Sequence, residues 1–486
     1  MTDTRRLRSL CALAGLVLLA ACGDFDVANE NAPTTDQLEG NPTRAILARS
    51  ATGIFTGVTG VIPGVGGNDV GGEIQQYGIY GRELYNLAGN DPRETGEELR
   101  GPQDPGGRAG AGWPNMYAHI RSINVYLRGV ANSTELSEAE KRASLGFAKT
   151  IEAYHFHRLI VRTGSLGIPM DVDRAISDPP APFVSETDAY AAIVALLDEA
   201  RADLQAGGGT FPFDFAPGWT GFTTPADFIR FNRGLLARVQ VNRALLNHCG
   251  GPCFTGALTA LSESFLTTGD LPTSLTSGVY IAFDEAAGEP TNPITENLTA
   301  LRYYVHPSIA GLVQNRADGS KDLRWTTKFR AGTEKVLNDL TGTIKPILYN
   351  TNSATASAAN LSADIPLLKN EELILLRAEA NLALGNKQAA LDDINLIRVQ
   401  SGGLAPTTLT AASADGDILT ELLYNRLMSL IFEQGVRWID ARKYGRLNTL
   451  PLDRPGDLVH EHQIVPTAEC DARGLPVPCD PLSTGN

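Results

Sequence analysis

Apolar residues recur at helical spacing through much of this chain. Residues 137–162 open with Ser137 three positions before Glu140, the arrangement of a capping box, and continue into Tyr154-His155-Phe156-His157-Arg158-Leu159-Ile160. Residues 186–205 place Ile193, Leu196, Leu197, Ala200 and Leu204 along one face. Residues 225–247 begin with Pro225 in a first turn and stop before Cys249-Gly250-Gly251. The sharpest unit is 370–398. There Leu373, Leu376, Ala380 and Ala383 form one stripe, Gly385-Asn386 breaks it, and Ala390, Leu391, Ile394 and Ile397 resume it. Small residues where two helices cross, followed by a glycine turn, describe a tetratricopeptide-like antiparallel pair. Residues 225–266 and 148–204 are looser copies. The pattern predicts a mostly α chain of such pairs with few short strands; a non-repeating bundle is the alternative.

Between these segments lie long stretches rich in Gly, Pro, Asn, Thr and Asp: 59–112, 164–184, 206–224, 268–297 and 316–363. Loops this long are uncommon in a compact domain unless they carry function. They are the expected seat of binding, on a helical scaffold.

The N-terminus changes the picture. Arg5, Arg6 and Arg8 precede a short apolar run, 9–21, too short to span a bilayer. The run ends in Leu19-Ala20-Ala21-Cys22, a bacterial lipobox, so residues 1–21 read as a removed signal and Cys22 as the lipidated residue. Dual acylation anchors a protein without a transmembrane helix. Asp24 follows Gly23 rather than Cys22, which favours the outer membrane. Residues 22–42 are polar and read as a tether, leaving 43–486 as one folded domain. Losing residues 1–21 removes three Arg and one Asp from 41 basic and 55 acidic residues. That leaves 38 against 54, net −16, an acidic balance that argues against nucleic acid as a partner.

Cys249, Cys253, Cys470 and Cys479 form two local pairs, the simple reading in an oxidising compartment being two loop-closing disulfides. Neither spacing is the two-residue knuckle of zinc. His155 and His157 face different sides of a helix and read as surface residues, as do His460 and His462. No metal or cofactor is expected.

Near the C-terminus, Glu433, Gly435, Arg437, Trp438, Asp440, Arg442 and Gly445 resemble the "E-G-x-R-W-x-D-L-x-R-x-G" element of the SusD/RagB family, with Gln434 interposed and Ala441 in place of Leu. Arg426 fits the helix before it. Val465-Pro466 with Glu469, the segment 24–33, and Tyr154 with Gly167-Ile168-Pro169 are similar to further family motifs in the same order. The resemblance implies an α-α superhelical scaffold with a loop-rich binding face. It also implies a surface lipoprotein that closes as a hinged lid over a SusC-like TonB-dependent transporter, most readily delivering an oligosaccharide, with a peptide as the other ligand class. No catalysis is implied.

The charged C-terminal element reads as structural, Glu433 and Arg437 being spaced i, i+4 for an ion pair. Ligand contact is expected from aromatic rings with polar neighbours in the loops. The loop regions 59–112 and 268–363 supply Tyr80, Arg82, Tyr85, Asn86, Tyr303, Tyr304 and Trp325. A tetratricopeptide scaffold for an envelope complex and a helical glycoside hydrolase are the rival readings. Fatty-acid labelling should mark the chain at Cys22; Cys22→Ser should abolish the label and leave the precursor uncleaved on a gel.

Overall fold

The computed structural model describes residues 34–61, 71–110, 112–175, 177–287, 289–351, 358–433 and 435–483. The expected signal and Cys22 lie outside them. The principal elements are α1 (Thr35–Glu39), α2 (Arg44–Val61), α3 (Gly71–Tyr80), β1 (Leu84–Asn86), α4 (Trp113–Asn132) and α5 (Glu138–Thr163). Next come α6 (Glu186–Gln205), α7 (Pro225–Leu245), α8 (Gly251–Ser262), β2 (Gly278–Ile281), β3 (Tyr303–Val305), β4 (Phe329–Leu337) and β5 (Leu340–Pro346). Then follow β6 (Ile365–Lys369), α9 (Asn370–Ala383), α10 (Lys387–Gln400), α11 (Asp415–Leu430) and α12 (Val436–Lys443).

Helices pack on their chain neighbours in succession, α4 on α5, α5 on α6, α6 on α7, α7 on α8, α8 on α9, α9 on α10 and α10 on α11. Each pair leaves an apolar face that only the next can cover, the logic of a helical superhelix. Local chemistry sets the boundaries. Ser137 and Glu140 form the reciprocal capping box that opens α5. Thr224 caps α7 ahead of Pro225. Gly385, at φ 80°, separates α9 from α10, a conformation that favours glycine.

Three expectations need correction here. Residues 34–42 are not free tether: Thr34 caps α1, which packs on α4, and Glu39 pairs with Arg128 at 2.6 Å. The stretch 59–112 holds α3 and β1, and 316–363 holds the β4–β5 hairpin. Its two-residue turn, Asn338-Asp339, has positive φ at both positions, as a type I′ turn requires. Third, His155, His157 and His460 are buried rather than on the surface. The long helix α5 is enclosed on nearly every side, so even its polar side chains need internal partners. His155 meets His119 (2.6 Å), His157 meets Asn242 (3.1 Å), and His460 meets the Glu97 carbonyl (2.9 Å). Among the described residues no group of three His, Cys, Asp or Glu is placed to hold a metal.

The C-terminal element closes the scaffold. Gly435 sits at φ 66°, and a Cβ there would stand 2.1 Å from Tyr77 Cβ. The helix therefore begins only at Val436, and the expected Glu433–Arg437 pair does not form. Glu433 instead binds Lys369 Nζ (2.5 Å), while Arg437 donates to the Arg82 carbonyl (2.6 Å) and Ser308 Oγ (3.1 Å). Trp438 lies between Tyr77 and Tyr80, ring centroids 4.9 and 5.2 Å away, and its Nε1–H donates to the His460 carbonyl. Disulfides join Cys249 to Cys253 and Cys470 to Cys479, with Cα atoms 5.8 and 5.7 Å apart.

Buried Glu152 on α5 has no neighbouring cation strong enough to offset its burial, which pushes its carboxyl up from 4.5 to about 7. A carboxyl raised on folding contributes stability below its unfolded value and loses it as pH climbs through the folded value. Thermal melts should therefore show a decline between pH 4.5 and 7 that Glu152→Gln flattens, by up to about 3 kcal/mol.

Candidate ligand-binding groove

The two loop regions selected from sequence do meet. β1 pairs antiparallel with β3, setting Tyr85 opposite Tyr304 and Asn86 opposite Tyr303. All six are buried, Tyr80, Arg82, Tyr85, Asn86, Tyr303 and Tyr304 being 3% exposed or less, the first two against the C-terminal segment rather than through this pairing. Their polar atoms are committed inside. Arg82 donates to the carbonyls of Ile79, Pro451 and Leu458, at 3.0, 3.1 and 2.7 Å. Tyr303 Oη donates to Gln75 (3.1 Å), Tyr304 Oη to the Thr333 carbonyl (2.7 Å), and Asn86 Oδ1 accepts from Ala88 N–H. The Lys345 ammonium sits 4.2 Å from the Tyr304 ring centre, and Tyr85 packs on His306 at 4.7 Å. These six residues build the seam beneath the loops and present no ring to a ligand. Trp325 packs on Phe329 (4.9 Å) and alone of the seven stays half-exposed. The cavity beside Tyr303 measures about 10 Å³, room for no more than one water.

No described aromatic side chain is exposed. A ring can then meet a ligand only where a groove reaches a half-buried one. Such a groove, of about 560 Å³, opens between two other stretches flagged as long loops, 206–224 and 268–297, and the ends of α7 and α8. That volume suits a small ligand.

The groove is built from the core outward. Phe55 on α2, Phe147 on α5, Phe213 and Trp219 from the loop, and Phe228 on α7 pack together, which fastens loop 206–224 to the helices. Gly218 then runs along β2, its carbonyl accepting from Tyr280 N–H at 3.0 Å. A Cβ at Gly218 would stand 2.2 Å from the Tyr280 carbonyl oxygen, so the approach needs glycine. On the far side, fully buried Asn370 at the start of α9 ties down the rim formed by the connection from α8 to β2. Its Oδ1 accepts from Thr267 N–H (2.9 Å), and its Nδ2 donates to the carbonyls of Thr267 (2.8 Å) and Ser274 (3.1 Å).

Inside, Phe222 and Phe265 meet edge to face at 5.1 Å, and Tyr280 offers a half-buried ring. Tyr280 Oη donates to the Thr276 carbonyl, and burial pushes its pKa up to about 12, so it stays neutral. Arg230 lies 5.8 Å from the Phe222 ring and is steadied by Asp227 (2.7 Å). Hydroxyls of Thr220, Ser264, Thr267, Thr276 and Ser277 line the rest, and no lining residue is acidic. One half-buried aromatic ring among hydroxyls and a guanidinium suits an uncharged polyhydroxylated ligand. Sequence reading missed these residues because each is a ring without the adjoining aromatic and charged residues that drew attention to the other two loops. Loop length was the one signal pointing there.

No known sequence-family profile matches the chain, and no curated protein sequence matches it. Solved structures do. A SusD superfamily protein from Bacteroides vulgatus superposes with a TM-score of 0.68 at 14% identity, over 88% of this chain and 97% of that one. NanU of B. fragilis gives 0.60 at 17%, over 90% and 97%. A SusD-like carbohydrate binding protein from Bacteroides fragilis gives 0.63 at 17%, over 85% and 88%. At such identities the likeness establishes the fold.

Tyr304→Ala should lower unfolding free energy in urea by about 3–5 kcal/mol, the cost of emptying a buried aromatic site. Half-exposed Tyr280→Ala should cost no more than about 2 kcal/mol.

Proposed function

From the SusD-superfamily fold of this chain, we propose that it is an outer-membrane, lipid-anchored nutrient-binding protein. It takes up an oligosaccharide in the Tyr280 groove and passes it, as a hinged lid facing the cell exterior, to a SusC-like TonB-dependent transporter. The observation that carries this reading is the fold, matched over nearly the whole length of proteins that include one called a carbohydrate binding protein. The groove supports the ligand class, since its aromatic floor and hydroxyl rim carry no acidic side chain. The lipobox supports the location, and no helix among the described residues is long and apolar enough to cross a membrane.

Binding without turnover is supported by the C-terminal element. Its carboxylates are engaged in ion pairs, Glu433 with Lys369 and Asp440 with Arg426 and Lys443. A glycosidase needs an opposed carboxyl pair across an open cleft.

Affinity purification from the native envelope should recover a transporter barrel together with this chain. Calorimetry with neutral oligosaccharides such as maltotriose, cellotriose and xylotriose should give binding that Tyr280→Ala weakens about tenfold or more, roughly 1.4 kcal/mol. Released monosaccharide would point to a hydrolase. A protein partner held equally well by Tyr280→Ala, with no saccharide bound, would point to a tetratricopeptide scaffold.

A further inference from the structure

A second cavity, about 350 Å³, opens where the turn after α5, the start of α6, the end of α7 and the segment after α12 converge. Its walls carry Arg442, Glu186, Glu461, His462, Ser165 and Asn448. Arg442 is held rigidly. Nη1 donates to the Val161 carbonyl, the guanidinium lies 4.6 Å from the Trp438 ring, and Nη2 rests against Gly164, where a Cβ would stand 2.6 Å away. Glu186 is held from the other side, 3.4 Å from His248 Nε2. His248 is itself fixed by Thr187 (2.8 Å) and the neighbouring Cys249–Cys253 bridge.

Arg442 and Glu186 line the same cavity; burial opposes the charge on Glu186, and the guanidinium favours it. Yet no ion pair joins them, because each is tied elsewhere. A guanidinium and a carboxylate therefore line one half-buried opening without closing on each other, and a small ligand carrying both signs of charge can be met by both. Glu461 adds a second negative group at the mouth, and Ser165 and Asn448 add hydrogen-bonding groups.

We propose that this cleft is a second binding site, which takes a free α-amino acid as a zwitterion. The carboxylate lies against the part of the Arg442 guanidinium that faces the cavity, and the ammonium lies toward Glu186 and Glu461. The site shares no lining residue with the Tyr280 groove, so either can fail without the other.

The test is calorimetry on the mature full chain with alanine and glutamine as zwitterions, propionate as the anion alone and propylamine as the cation alone. Alanine or glutamine should bind on the order of tenfold more tightly than propionate or propylamine. Arg442→Gln and Glu186→Gln should each weaken alanine binding by a similar factor. Arg442 packs on Trp438, so its replacement could disturb folding. Ser165→Trp, at the exposed wall, should block alanine while leaving the melting temperature and oligosaccharide binding at the Tyr280 groove unchanged. Propionate or propylamine binding as well as alanine, alanine binding that survives Ser165→Trp, or no binding of any probe at about 10 mM would overturn the proposal.

Discussion

A buried lattice of ion pairs holds the last helices to the rest of the scaffold, and much of the fold depends on it. Arg426 on α11 lies between Glu379 of α9 and Asp440 of α12, at 3.0 and 2.8 Å, and Lys443 joins the same two carboxylates. All four side chains are less than a tenth exposed. Charges at that depth are tolerable only in pairs, and removing one partner strands the others at about 3–5 kcal/mol. The lattice therefore fixes the relative placement of three helices more sharply than apolar contact would, since each carboxylate faces two cations at once.

A second cluster extends the same constraint toward the loops. Lys369, the last residue of β6, lies between Glu371 and Glu433, while Ser429 donates to Glu371 at 2.6 Å. Burial opposes the charge on Lys369, but the two carboxylates more than offset it and raise its pKa. Through Lys369 the strand that pairs with β2 is locked to α9 and α11. The next residue, Asn370, anchors the α8–β2 rim of the Tyr280 groove. The groove's shape is thus tied, through one dipeptide, to the charge lattice of the core.

The C-terminal element gains a physical meaning from this. Gly435 is needed because Tyr77 occupies the space of a Cβ, Trp438 because α3 presents two tyrosines to it, and Asp440 because Arg426 must be neutralised. Its conspicuous chemistry serves assembly. Arg442 is the exception, since part of its guanidinium faces an open cavity.

Much of the scaffold was legible in the residues themselves. The capping box at Ser137, the glycine break at Gly385 and the apolar stripes of α6 and α9 act over a few residues, so local chemistry alone determined those helices. The pairing of near-neighbour cysteines is local in the same sense. Which aromatics meet solvent was decided only by tertiary structure. Tyr85 is buried where it pairs with Tyr304 from a segment more than two hundred positions away, whereas Tyr280 stays half-open at a groove walled by loop 206–224 and the end of α8. Both rings sit in short strands, and their immediate neighbours, Leu84 and Asn86 for one and Val279 and Ile281 for the other, do not tell the two outcomes apart. Only the packing of remote segments removes one from water and leaves the other at a groove.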